Sequence, residues 1–255
     1  MIPDFLKLRE LFAFSEFNQT RVYNAIILAY SLFTFSLYIF LSEASILKVG
    51  EEDGGFEYLT AFSFLIASVL CLMISFRSRN IWFALLAIVF FVGFGEEISW
   101  GQRILGYGTP ESVNSKNVQG EFNMHNLEIL DSKDFSGEEK SGWRKFTAVQ
   151  FLYNLFWFTY GIALPLAVFY LGFVKKLVTK FRLPVPPLAI GIFFMVDWLI
   201  FRISKSLLLP AGKSIEYYYT INEMFESCSA LIFMMIIIWF FVKRAESLTE
   251  KTISG

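Results

Sequence analysis

The chain has 255 residues, is 55% hydrophobic and 19% aromatic, and carries a formal net charge of −1. Soluble domains hold ~45–50% apolar residues without gathering them into runs of ~20, so this composition excludes an ordinary soluble fold. Charge this close to balance, with no Gly-rich nucleotide loop and no basic-aromatic interleaving, sets nucleic acid aside and leaves membrane lipid as the expected partner.

Residues 1–21 open the chain as a cytoplasmic or interfacial segment. Phe5, Leu8, Leu11, Phe12 and Phe17 fall near helical spacing among Lys7, Arg9 and Glu10, which suits an amphipathic helix lying in the interface or, alternatively, a disordered tail. Six apolar stretches follow at 22–41, 56–76, 81–99, 147–174, 185–203 and 219–242, each long enough for a tilted transmembrane helix. The first is too long for a signal-peptide core and is read as a retained span. The expectation is an all-α, polytopic six-helix domain over 22–242, with one long extracytoplasmic loop at 104–146 and a cytoplasmic tail at 243–255.

Loop charges orient the bundle. Arg77 and Arg79, then Lys175, Lys176, Lys180 and Arg182, then Lys243 and Arg244 mark one side. The first alternate connection carries Glu43, Glu51, Glu52 and Asp53 against Lys48 alone, and the long 104–146 segment and 204–218 are the other two. Both termini are therefore expected in the cytoplasm. In the long loop, residues 104–130 look ordered, whereas 131–142 are rich in Ser, Gly, Lys and Glu and read as flexible. The two cysteines, Cys71 and Cys228, sit in predicted spans at depths differing by ~10 Å, too far apart for a disulfide.

With this orientation Glu57, Glu96, Glu97, Glu223 and Glu226 all fall at the outer ends of their helices. A charge in hydrocarbon costs ~2.5–3.5 kcal/mol on insertion scales, so carboxylates gathered at one depth suggest a site. The densest run is Gly95-Glu96-Glu97-Ile98-Ser99-Trp100-Gly101-Gln102-Arg103. If the helix continues, Glu96, Ser99, Trp100 and Arg103 share a face and Glu97 points elsewhere. A second run, Asn117 to Asn126, holds Glu121 and the only histidine, His125; a helical turn would put those two on one face. A third, Asn222-Glu223-Met224-Phe225-Glu226, places Asn222 beside Glu226. Thr147, Gln150 and Asn154 add a polar stripe, and Asp197 with Arg202 reads as interhelical pairing. Glu57–Ile66 and Glu223–Ile232 agree at Glu, Ser, Leu and Ile, a weak internal echo.

Like charges this close cannot all stay ionised in low dielectric, so some carry protons or a cation neutralises them. Oxygen ligands with one imidazole suit Zn²⁺, Mg²⁺ or Mn²⁺, with Glu97, His125, Glu223 and Glu226 as candidate ligands. Glu96, Glu97, His125 and Arg103 are the candidate catalytic residues. Glu57, Trp100, Gln102, Glu121, Asn126 and Asn222 are the candidate substrate contacts.

At Glu96–Arg103 and Asn117–Asn126 the chain resembles an uncharacterised group of bacterial multi-pass membrane proteins that share E-E-I-S-W-G-Q-R and a later His-Asn. That resemblance implies a bacterial inner-membrane location and supplies no activity. The Glu-Glu pair with Arg103 and His125 is faintly similar to CAAX-type intramembrane proteases, and Glu57 with Ser63 to alkaline ceramidases. Both families need further histidines that this chain lacks, so no catalytic residue is carried over from either. The sequence supports three readings: a membrane enzyme performing hydrolysis or group transfer on a lipid or lipid-linked substrate, an ion-coupled transporter, or a binding subunit of a membrane complex. A membrane-protein partner or a second copy of the chain fits the last.

Overall fold

The computed structural model describes residues 10–253 except 12, 15, 51–53, 118, 119, 133, 135, 137, 139 and 209–213. The interfacial segment expected before the first span therefore lies largely outside the described residues. Ser42 and Asn80 cap the helices that follow them. α1 runs Arg21–Phe40. α2 (Glu43–Val49) starts at Ser42, whose side chain accepts from the Ser45 amide. α3 (Gly55–Ser78) stops at Arg79, which takes a left-handed conformation at φ +49. Asn80 then caps α4 (Ile81–Glu97) by accepting from the Trp82 amide at 3.1 Å. Such a cap satisfies an amide the helix leaves unpaired, and it makes α3 and α4 a tight antiparallel pair.

α5 (Val149–Phe158) passes through a π-helical turn at Thr159–Ala163 into α6 (Leu164–Tyr170). Pro165 explains the wide turn: it has no N–H to offer the Gly161 carbonyl, so the chain shifts register around it. α7 (Gly172–Phe181) and the prolines at 184, 186 and 187 lead to α8 (Leu188–Leu208) and the long α9 (Ile215–Ile253).

α9 is the hub, packed on α1, α2, α3 and α8. Phe90, Phe194 and Phe233 are essentially fully buried, and the Phe233 ring lies 4.7 Å from Phe194 and 5.4 Å from Phe90. Where α8 crosses the π turn, a Cβ on Gly191 would stand 1.9 Å from the Gly161 carbonyl oxygen, so only glycine permits this approach. Both cysteines are buried and free.

Among the described residues, four helices are long and apolar enough to cross a membrane: 21–40, 55–78, 149–170 and 219–245. The chain is thus a helical membrane protein. Its two ends differ in charge. At one end Arg182 binds the Ser78 carbonyl and receives the Asn80 amide, while Arg77 and Arg244 lie over the Phe241 and Phe83 rings. The opposite end carries Glu57, Glu97, Glu223 and Glu226.

Two expectations about local structure are corrected. The helix does not continue past Glu97, so Glu96, Ser99, Trp100 and Arg103 do not form one helical face: Ser99, Trp100 and Gly101 are all left-handed, at φ +45, +53 and +82. Residues 121–126 form turns rather than a helix, so Glu121 and His125 are not brought together by helical spacing.

Candidate functional site

The left-handed run folds the chain back onto the end of α4. Trp100 turns over Gly95, where any Cβ would meet its ring at 2.8 Å, and its Nε1 donates to Glu96 Oε1 at 2.6 Å. The other oxygen of Glu96 accepts from the amides of Met124 and His125, at 2.6 and 2.8 Å. His125 Nδ1 stands 3.3 Å from that same oxygen. Four donors on one carboxylate pin the loop to α4, and hydrogen bonds to a charged group contribute ~1.5–3 kcal/mol each.

The rest of the motif completes this lock. Gln102 accepts from the Phe122 amide at 2.6 Å and donates to Thr109, which donates onward to the Gly120 carbonyl. Glu121 accepts from Ser99 at 3.1 Å and Asn123 at 2.7 Å. Asn117, Asn123 and Asn126 are buried, with Asn117 bonded to Asn123. Gln102, Glu121 and Asn126, expected as substrate contacts, thus stand inside the loop's own network. The Arg103 side chain lies outside the described residues.

His125 differs from its neighbours. Its side chain is 37% exposed, Glu96 holds Nδ1, and Nε2 makes no hydrogen bond among the described residues. A carboxylate on one imidazole nitrogen fixes the tautomer and leaves the other nitrogen available for proton transfer.

Beneath the loop, the remaining acids gather from three helices. Glu97 at the end of α4 is within electrostatic reach of Glu57 in the first turn of α3 and of Glu223 and Glu226 on α9. Glu226 in turn feels His125, Lys205 and Glu57. All four residues are half-buried. Lys205 from α8 bonds Asn222 and supplies a positive charge beside Glu226. Tyr153 from α5 reaches the same place, bonded to Ser229 at 2.5 Å.

Sequence reading missed Lys205 and Tyr153. The lysine lies just beyond the last residue of its predicted span, and the tyrosine is one aromatic among many. A signal existed for both, because a buried ammonium or phenol in an apolar helix needs a partner. Conversely, Thr147 and Asn154 are occupied elsewhere, by the Ile129 carbonyl and the Trp157 indole. Asp197 pairs with Ser31 of α1, while Arg202 lies over the Trp198 ring, so the two engage separate partners.

Among the described residues, no group of three or more His, Cys, Asp or Glu is arranged to hold a metal ion. The Zn²⁺, Mg²⁺ or Mn²⁺ site expected at Glu97, His125, Glu223 and Glu226 is not among the arrangements seen in the described residues. Lys205 is a positive charge beside Glu226. No family model, curated protein or solved structure matches this chain.

Proposed function

We propose that the chain is an integral membrane enzyme that performs acid–base hydrolysis or group transfer on a lipid or lipid-linked substrate at the membrane surface. The observation that carries this reading is the Glu96–His125 pair, oriented through Nδ1 with Nε2 facing no hydrogen-bond partner among the described residues. In the proposed reaction His125 Nε2 accepts the proton of the attacking water or hydroxyl. Glu226, in electrostatic reach of His125, or Glu97 beside it returns a proton to the leaving group. Lys205 holds an anionic part of the substrate near these acids. Such positioned proton transfer contributes typically 10²–10⁴-fold to rate.

The substrate class rests on what surrounds the pair. Ile104, Leu105, Met124, Ile129 and Trp143 leave large apolar surfaces exposed on the same loop region. Apolar side chains at the rim of a polar site suit the boundary between headgroups and hydrocarbon. Within this reading α4 and α8 complete a six-span bundle, and the basic end faces the cytoplasm of a bacterial inner membrane. The site then opens outward.

The test uses protein purified in mild detergent and incubated with a panel of phospholipids and lipid-linked sugars, with products followed by mass spectrometry. The expected result is turnover of one lipid class that falls about 10²-fold or more in His125→Ala and in Glu226→Gln. Turnover unchanged in His125→Ala would overturn the reading.

A further inference from the structure

α1 buries an unusual face. Its inward stripe is Asn24, Ile27, Ser31 and Thr34, three polar residues and one apolar. At its glutamate end Tyr38 bonds Thr220 at 2.7 Å and lies within reach of Glu223. Farther along, Thr34 contacts the Cys228 thiol at 3.6 Å and Tyr30 bonds Ser227, both on α9. Opposite Ser31 stands Asp197 of α8, 1% exposed in the middle of the bundle.

The Asp197 carboxyl is half-satisfied. Oδ2 accepts from Ser31 at 3.2 Å, while Oδ1 has no hydrogen-bond partner. Among the described residues no cation is recorded beside it. From α9 the titratable group that faces it is the Cys228 thiol, and from α1 it meets Ser31, with the Tyr30 phenol turned to Ser227. On its own helix Arg202 lies over Trp198 and Lys205 turns to Asn222. From the π turn Tyr160 is directed toward Cys71. A lone buried carboxylate without a counter-ion is among the costliest groups a protein can hold. A metal ion would need several oxygen ligands here, and the groups around Asp197 offer one hydroxyl and a soft thiol. A proton needs one lone pair, and Oδ1 has it.

We propose that Asp197 is a proton-binding site in the middle of the helix bundle. The line of hydroxyls at Ser31, Thr34, Tyr30 and Tyr38 serves it from the glutamate end. Toward the basic end the line is broken: Ile27, 1% exposed, separates Ser31 from Asn24, about 10 Å farther along the helix. Asp197 therefore exchanges protons with the glutamate end and does not complete a path through the bundle. This assignment rests on α1, α8 and α9 and is independent of His125.

The experiment is infrared difference spectroscopy of the full chain in lipid nanodiscs across a pH step, with proton uptake followed by an indicator dye. The wild type is expected to show a carboxylic-acid carbonyl band that comes and goes with pH. Asp197→Asn should lack that band and take up about one proton fewer per chain, whereas His125→Ala should retain it. Identical band and uptake in wild type and Asp197→Asn would overturn the proposal. Should Asp197→Asn not fold, Ser31→Ala takes its place: loss of the Ser31 hydrogen bond should shift the carbonyl band, and an unshifted band would overturn the assignment.

Discussion

Gly95 and Trp100 decide whether the loop reaches the acids at all. The indole occupies the space a Gly95 side chain would fill and donates to Glu96, which then collects His125 and Met124. Ser99 and Trp100 hold left-handed backbone without being glycine, a strain of ~1–3 kcal/mol each that the carboxylate bonds offset. Gly95→Ala should therefore destabilise the protein by about 1–3 kcal/mol, as overpacking does, seen as a lower unfolding midpoint in detergent. It should also expose His125 to carbethoxylation. A midpoint and labelling rate equal to wild type would count against the lock. Glu96 and Glu97 were legible as acids closing an apolar run, on different faces. Their division of labour, one anchoring a loop and one facing other acids, was not, because helical projection assumes a helix that in fact ends at Glu97.

At the scale of elements, the crossing of α8 with the π turn leaves less room for a Cβ at Gly191 than exists at any other described glycine position. Gly191→Ala places a methyl against the Gly161 carbonyl and should cost about 1–3 kcal/mol or more. Gly172→Ala, at the start of α7 with nothing within 4 Å, is the matched control and should be neutral or slightly stabilising. Equal unfolding midpoints for the two variants would show that the crossing relaxes freely. Nothing in the hydropathy of α5, α6 or α8 announces this contact, since glycine in an apolar helix is common in membranes whether or not a neighbour touches it. The polar stripe of α1 was hidden for a related reason. Ser31 and Thr34 are too weakly polar to interrupt an apolar run, and only packing against Asp197 and Cys228 makes them a feature.

For the whole molecule the separation of charge between the two ends carries the topology. Arg77, Arg182 and Arg244 gather at one end, and Glu57, Glu97, Glu223 and Glu226 at the other. If the basic end is cytoplasmic, Ser136→Cys in the loop should react with a membrane-impermeant maleimide on intact cells. Lys176→Cys in α7 should react only after permeabilisation. Cys71 and Cys228 are buried and should stay unlabelled in both cases. Labelling in the reverse order would invert the orientation and turn the site toward the cytoplasm.

By itself the sequence determined the solvent, the helical class and the end of the bundle that holds the acids. Those follow from apolar run length and loop charge, both of which are local properties of the chain. It also exposed Glu57, Glu97, Glu223 and Glu226 as acids at the ends of apolar runs, because a charge in that position is visible without knowing its neighbours. Tertiary structure alone decided what each polar group meets. It gave Glu96 to the loop, left His125 with one nitrogen committed and one open, brought in Lys205 and Tyr153, and buried Asp197 with a single hydrogen bond. The reason is physical: the energy of a buried polar atom depends on partners that residues distant in sequence supply, and periodicity in one helix carries no record of them.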